Sequence, residues 1–334
     1  MKKSSLIIIV IALVVAFAAV QFMGKNDKSD SNWPKGQKIT IIQPFEAGGS
    51  ADIMARQLVK YWEPELGTNI IIENRPGATG LVGTELFLKQ PDDGSVLLVT
   101  TQMYLSAGAV LQGAKFTMED FDVLNFQQFD PMAISVLEDS PYKTYEDLAQ
   151  AIKERPNTLT CGFMAGGAPH LGAVVLRERA GLEFKDVTYD SGNAYRTALL
   201  GKHVDFIASN VNGDRALKGK ARVLGVASNE RSSIWPDAPT FNELLKIKDF
   251  PQLGSARLIA VPKTLRAKYP ERYAKLLATY KKAYENPEYV KFRKDTGEME
   301  VSAYRGPDES NKMNKELHSL LERYKERVQA TQKK

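Results

Sequence analysis

A chain of 334 residues, 43% hydrophobic and 25% charged, has enough apolar residues for a substantial core and enough length for about two domains. Its net charge of +5 is modest and its Lys and Arg residues are mixed with Asp and Glu, so no nucleic-acid-binding surface is expected. A single cysteine, Cys161, excludes an internal disulfide, and His170, His203 and His318 lack metal-ligand spacing, so no metal or cofactor is expected.

The chain opens on Lys2 and Lys3, followed by an uncharged apolar run from Leu6 to Val20. Without those two lysines, 43 basic residues face 40 acidic ones. This is the layout of an export signal, and Ala16-Phe17-Ala18 offers a small-x-small cleavage site. The run also approaches the ~20 residues that span a bilayer. Residues 1–24 are therefore expected to be either a cleaved signal or a retained membrane anchor, with no following cysteine for lipid attachment. The two lysines would keep the N-terminus in the cytoplasm and place the rest outside. Residues 25–35 read as a polar linker.

Ile39–Gln43 predicts a strand and residues 51–66 an amphipathic helix, with Met54, Leu58 and Trp62 on one face and Gly67 as its stop. Between them lies Pro44-Phe45-Glu46-Ala47-Gly48-Gly49-Ser50-Ala51-Asp52. Glycines let the chain turn tightly, and the first N–H groups of a helix have no partner inside it. Such a loop suits a carboxylate or phosphate. Strand–glycine–helix turns are common, however, and alone this one favours a structural role. It is neither a P-loop nor a dinucleotide fingerprint. Strands at Ile70–Glu73 and Val96–Thr100 flank a helix from Leu81 to Lys89, an alternation that predicts a parallel sheet covered on both faces.

A second α/β unit begins near Pro131. Thr144 and Asp147 form a capping pattern, and the strand Leu159–Phe163 holds Cys161 as a buried small residue. A second glycine turn follows, Ala165-Gly166-Gly167-Ala168-Pro169-His170, then a helix stopped by Gly181. Asp186–Tyr189 leads into Asp190-Ser191-Gly192-Asn193 and another helix; His203–Ala208 precedes Ser209-Asn210. Strand, polar or glycine loop and helix N-terminus thus recur after Ile42, Phe163 and Tyr189. Ligands of open α/β sheets bind at such loops, and several facing one another would make a cage of backbone donors between two lobes. After a strand at Ala256–Val261 the chain reads as helical, over Pro270–Lys294 and Asp308–Val328, and is expected to return to the first lobe. The expected division is 36–130 for lobe 1, 131–235 for lobe 2 and 236–330 for the rest of lobe 1, with two crossovers.

These residues resemble a known family, the extracytoplasmic substrate-binding proteins of tripartite tricarboxylate transporters, or Bug family. The opening Ile39–Asp52 is similar to its strand and Pro-Phe-x-x-Gly-Gly-x-x-Asp loop, and Glu73-Asn74-Arg75-Pro76-Gly77-Ala78-Thr79-Gly80 to its Glu-Asn-Arg-Pro-Gly-Ala-x-Gly segment. Pro91-Asp92-Asp93-Gly94, Leu199–Asp205 and Pro236-Asp237-Ala238-Pro239-Thr240 match further segments in order. The resemblance implies a type II periplasmic-binding-protein fold, two α/β lobes closing by a hinge on a small organic carboxylate: a dicarboxylate, a tricarboxylate or an aromatic acid. It implies no enzyme activity and a partner in the transporter's membrane subunits; a monomer is expected. The carboxylate is implied to sit between Phe45–Asp52 and Ala165–His170. The chain departs from the family pattern at Ala165–Ala168, Asp190, Ser209 and Glu46.

The expected ligand contacts are Phe45, Glu46, Ala47, Gly48, Gly49, Ser50 and Asp52 from the first loop. Ala165, Gly166, Gly167, Ala168 and His170 come from the second. Gln102, Ser191, Asn193 and Asn210 would supply polar contacts elsewhere. Asp52 reads more readily as a first-turn helix residue, and His170 as either a contact or a helix-start residue bonded to backbone. Arg75 is expected to be structural. Two rival readings are an exported hydrolase using His170 and Asp52, without a Gly-x-Ser-x-Gly elbow to support it, and a receptor for a membrane kinase.

Overall fold

A computed structural model describes residues 32–332. The expected signal or anchor over residues 1–24, and the linker as far as residue 31, lie outside the described residues. No helix among the described residues is long and apolar enough to cross a membrane.

Strand β1 (Ile39–Gln43) lies between β2 (Ile70–Asn74) and β3 (Val96–Thr101), parallel to both. Helices α1 (Ser50–Leu66) and α2 (Leu81–Leu88) connect them, and α3 (Gln102–Leu111) leaves the end of β3. Strand β4 (Phe121–Leu137) then runs for 17 residues through two sheets. Its first half pairs antiparallel with β9 (Gly254–Pro262), which itself pairs antiparallel with β3. The first sheet therefore has the order β2-β1-β3-β9-β4. The second half of β4 pairs antiparallel with β7 (Phe206–Asn210) and β8 (Ala221–Val226). Strands β5 (Thr160–Met164) and β6 (Lys185–Tyr189) continue that sheet in parallel, giving β8-β4-β7-β5-β6. Helices α4 (Tyr145–Glu154), α5 (Ala168–Ala180), α6 (Gly192–Leu200) and the short α7 (Phe241–Leu245) belong to this second half. The short α8 (Leu265–Lys268), α9 (Pro270–Glu285), α10 (Pro287–Asp295) and α11 (Gly306–Gln332) follow β9.

The expected all-parallel sheet is thus a mixed one. β4 and β9 carry the chain between lobes, and a strand that enters a sheet from the neighbouring lobe meets the local strands head to tail. Their crossing is tight. Met132 N–H donates to Leu253 O at 2.7 Å, and Leu253 N–H to Ala227 O at 3.1 Å. A Cβ on Gly254 would lie 2.5 Å from Asp130 O, so only glycine lets the two crossover backbones approach this closely.

The apolar face of α1 is buried as its spacing predicts: Met54, Leu58 and Trp62 are fully covered. Trp62 also donates through Nε1 to Thr279 Oγ1 at 3.0 Å, which satisfies its one polar atom against α9. Loss of such a buried ring costs about 3–5 kcal/mol. The other face of the first sheet is packed by Phe87, Phe121, Phe126 and Leu317. The main core of the second lobe gathers Phe163, Phe206 and Leu171 with Phe241, Phe250 and Leu253. Those last three pack in this core although they lie within the span 236–330 expected for lobe 1. The α11 helix is shared. Its Leu317 packs in the first lobe, whereas Leu321, Tyr324 and Val328 pack in the second. It contacts both lobes, where the sequence placed the C-terminal helices with lobe 1.

Candidate functional site

The loop after β1 is held from beneath by four polar side chains. Gln43 Oε1 accepts the Phe45 N–H at 2.7 Å. Asp52 Oδ2 accepts the Gly48 N–H at 2.9 Å and Arg56 Nε at 2.8 Å, while Oδ1 accepts Asn74 Nδ2 at 3.0 Å. Asn74 Nδ2 also reaches Phe45 O at 3.0 Å. Burial pushes the Asp52 carboxyl up, but the Arg56 bond, the Gly48 N–H and the Asn74 amide together hold it below its ordinary value. Gly48 sits at φ +83°, a conformation that other residues rarely adopt. Gly49 caps α1 without a side-chain acceptor, so the N–H groups of Ser50 and Ala51 lack a partner in the helix.

The loop after β5 repeats this construction. Gly166 has φ +74°, Gly167 caps α5 without a side-chain acceptor, and the third helical residue reaches back to the first glycine. Here that residue is His170, whose Nδ1 accepts the Gly166 N–H at 3.1 Å. Nδ1 being an acceptor, Nε2 carries the proton and bonds Thr331 Oγ1 at 2.6 Å. The ring is stacked on Phe163, with centroids 4.8 Å apart, and burial followed by Arg177 lowers its pKa from 6.5 to about 4. His170 is therefore a neutral counterpart of Asp52, holding a glycine turn.

Tyr104, on the first turn of α3, joins the two loops. Its ring meets Phe45 edge to face at 5.5 Å, and its hydroxyl lies 2.9 Å from Met164 Sδ. A Cβ on Gly167 would come within 2.7 Å of that hydroxyl, so the glycine makes room for the ring. Tyr104 thus links the loop that precedes α1 to the loop that precedes α5, through Phe45 on one side and Met164 and Gly167 on the other.

Charge is concentrated beside them. Arg257 on β9 is 6% exposed; Nε donates to Ser50 Oγ at 3.0 Å and Nη1 to Gln128 Oε1 at 2.9 Å. Its nearest carboxylate oxygen, Asp130 Oδ2, is 3.9 Å from Nη2. Burial lowers the Arg257 pKa against the pull of Asp130, and burial raises that of Asp130 against the pull of Arg257. Arg196 on α6 donates through Nε to Asp214 Oδ1 at 2.8 Å. Asp214 Oδ2 also accepts the hydroxyls of Ser135 and Ser209. Tyr195 is buried beside this pair, and its phenol is pushed up by burial.

Of the residues singled out from sequence, Phe45 and Gly167 meet at Tyr104. Asp52 and His170 support those loops from below and have no polar side-chain atom left over. Gln102 is fully buried, with Nε2 donating to Ser106 Oγ and Asn314 O, and so faces the core instead of a cleft. The Asn210 side chain ties the crossovers, donating to Asp130 O at 2.9 Å and accepting from Ser255 Oγ at 3.0 Å. Ser191 caps α6 by accepting the Ala194 N–H at 3.2 Å, and Asn193 is exposed on its first turn. Sequence reading passed over Tyr104, Tyr195, Arg196 and Arg257. For Arg257 a signal existed, a lone cation inside the apolar run Ala256–Val261. Among the described residues no three His, Cys, Asp or Glu side chains are grouped to hold a metal.

Comparison with known proteins agrees with this architecture. A family model described as the tripartite tricarboxylate transporter family receptor matches residues 54–330. A UPF0065 protein from the tcbD-tcbE intergenic region of Pseudomonas sp. (strain P51) is 28% identical over 268 residues, 78% of this chain and 77% of that protein. The crystal structure of a TctC solute-binding protein from Polaromonas superposes with a TM-score of 0.73 at 25% identity, over 87% of this chain and 98% of the other. MatC from Rhodopseudomonas palustris, solved with bound malate, has the same fold, with a TM-score of 0.71 at 21% identity over 86% of this chain and 98% of its own. The fold is that of the type II periplasmic binding proteins, and the match runs across both lobes from α1 into α11. The chain therefore belongs to the tripartite tricarboxylate transporter receptor family, the Bug substrate-binding proteins.

Proposed function

We propose that this protein is an extracytoplasmic receptor that captures a small organic carboxylate between its lobes. The acid is a dicarboxylate, a tricarboxylate or an aromatic acid, and it is delivered to the membrane subunits of a tripartite tricarboxylate transporter. The observation that carries this reading is that two glycine-turned loops, each opening a helix, are joined at Tyr104 through Phe45 and Gly167. Each presents first-turn N–H groups without intrahelical partners, Ser50 and Ala51 on one side, Ala168 and His170 on the other. An anion between them satisfies donors from both lobes at once, which favours the closed arrangement. The malate held by MatC is consistent with this ligand class.

The ligand contacts proposed are the backbone of Gly48–Ala51 and Gly167–Ala168, with Phe45 and Tyr104 as apolar walls. Glu46, exposed on the first loop, would disfavour a further negative charge at that end of the ligand. A hydrolase built on His170 and Asp52 finds no support, since both side chains are spent on the loops. The N-terminal segment, cleaved or retained, would keep the receptor outside the cytoplasmic membrane.

A thermal-shift screen of the chain from Lys28 onward, against di- and tricarboxylates, aromatic acids and amino acids, tests the reading. A ligand at 100 times its Kd adds about 2.7 kcal/mol to folding stability. A carboxylate is expected to raise Tm, with the shift lost in Gly49→Leu. A shift only with neutral or cationic solutes refutes the carboxylate reading.

A further inference from the structure

Arg257 stands in an unusual position for a cation. It lies in register with Thr101 on one side and Gln128 on the other, within a strand whose neighbours Ala256, Leu258 and Ile259 are buried. A buried guanidinium is costly unless an anion faces it. Here two of its nitrogens are met by neutral oxygens, from Ser50 and Gln128. Among the described residues the third, Nη2, has no hydrogen bond, and its nearest carboxylate oxygen lies 3.9 Å away. Asp130 offers its Oδ2 to the guanidinium at that distance, outside hydrogen-bond range, and its other oxygen is engaged. Asp130 Oδ1 accepts the Asn212 N–H at 2.8 Å, and Glu298 accepts Gln128 Nε2 at 3.3 Å.

The position relative to α1 sharpens the imbalance. Ser50 is the first residue of α1, where the helix dipole places partial positive charge, and Arg257 adds a full positive charge bonded to that same serine. Helix start and guanidinium therefore converge, and the guanidinium's nearest anion, Asp130 Oδ2, is not in hydrogen-bond contact with it. The side chain of Arg257 keeps 8% exposure, so the site is not sealed. A carboxylate matches this arrangement in shape as well as charge. One oxygen takes the first-turn N–H groups of α1 while the other faces Nη2.

We infer that Arg257 is a ligand-binding residue, its Nη2 and the N–H groups of Ser50 and Ala51 together holding one carboxylate of the captured acid. The assignment rests on the carboxylate-receptor reading and names the charged side chain that selects for it. The ligand carboxylate would supply Nη2 with the hydrogen-bonded anion that Asp130 at 3.9 Å does not. A carboxylic acid would therefore be preferred strongly over its own amide or methyl ester, which offers no charge to the guanidinium.

Calorimetric titration of the full-length chain with L-malate, adipate, citrate and benzoate, and with the neutral amide of whichever binds most tightly, tests this. R257Q is expected to weaken the acid by about 10- to 100-fold, the range for a hydrogen bond to a charged group. It should leave amide binding nearly unchanged, so the acid-over-amide preference collapses. R257K keeps the charge and should recover part of that preference. Melting of the unliganded variants reports folding; if R257Q does not fold, the partial loss in R257K, confined to the acid, carries the test. R257Q binding the acid as tightly as the parent, or losing acid and amide alike, overturns the assignment of Arg257 alone. A parent protein that binds none of these acids overturns the receptor reading and this assignment with it.

Discussion

Acid should destabilise this protein in part through His170. His170 is buried, neutral, and accepts the Gly166 N–H on Nδ1, so its protonation breaks that bond and buries a charge. Its pKa falls from 6.5 to about 4 on folding. Between those values the unfolded chain takes up a proton that the folded protein refuses, so stability is full above about pH 6.5 and falls as pH drops towards 4. At 1.36 kcal/mol per unit the loss amounts to about 3 kcal/mol. His170→Gln retains an acceptor and a donor but does not titrate. Urea unfolding of both proteins between pH 7.5 and 4 isolates the effect, because every other titrating group cancels in the difference. The stability gap between parent and variant should move by about 3 kcal/mol in favour of the variant as pH falls. Imidazole NMR of the three histidines should show one ring neutral, protonated on Nε2, below pH 5. A pH-independent gap, or a His170 ring titrating near 6.5, would refute the placement.

Three further outcomes follow from the site. Asp52→Asn removes the ion pair with Arg56 and weakens the anchor of Gly48, and should lower stability at neutral pH by about 1–3 kcal/mol in urea titrations. Because the Asp52 pKa is lowered on folding, that difference should shrink as pH falls through its folded value. Gly167→Ala drives a Cβ to within 2.7 Å of the Tyr104 hydroxyl and should weaken ligand binding; adding Tyr104→Phe, which deletes that oxygen, should restore part of it in a calorimetric double-mutant cycle. Gly48→Ala meets no atom within 4 Å but forces alanine to φ +83°, at a cost of about 1–2 kcal/mol seen as a lower Tm.

Much of the fold was legible in local pattern. The apolar face of α1, the Thr144–Asp147 capping box and the αL stops at Gly67 and Gly181 depend on residues within a few positions, and all appear as spacing and capping chemistry require. The route of β4 was not legible. Phe121–Leu137 contains Asn125, Gln127, Gln128, Asp130 and Pro131, which break the alternation of a strand, because their polar groups bond to α9, α10 and the opposite crossover. Gln102 reads from sequence as a polar ligand contact after β3, whereas its side-chain amide is buried against Ser106 and Asn314.

The sequence by itself determined where the backbone turns and where donors are left open. Gly48-Gly49 and Gly166-Gly167, each before a helix, follow from glycine's access to positive φ and from the unpaired first N–H groups of a helix. Only the tertiary structure decided which side chains face those donors. Arg257 lies 207 residues from Ser50, and Tyr104 reaches Met164 over 60. Pairings at such separations are set by the sheet order, with β9 entering antiparallel between β3 and β4, and not by any local propensity. The same holds for His170, whose neutral state depends on burial against Phe163 and on Thr331 at the far end of α11.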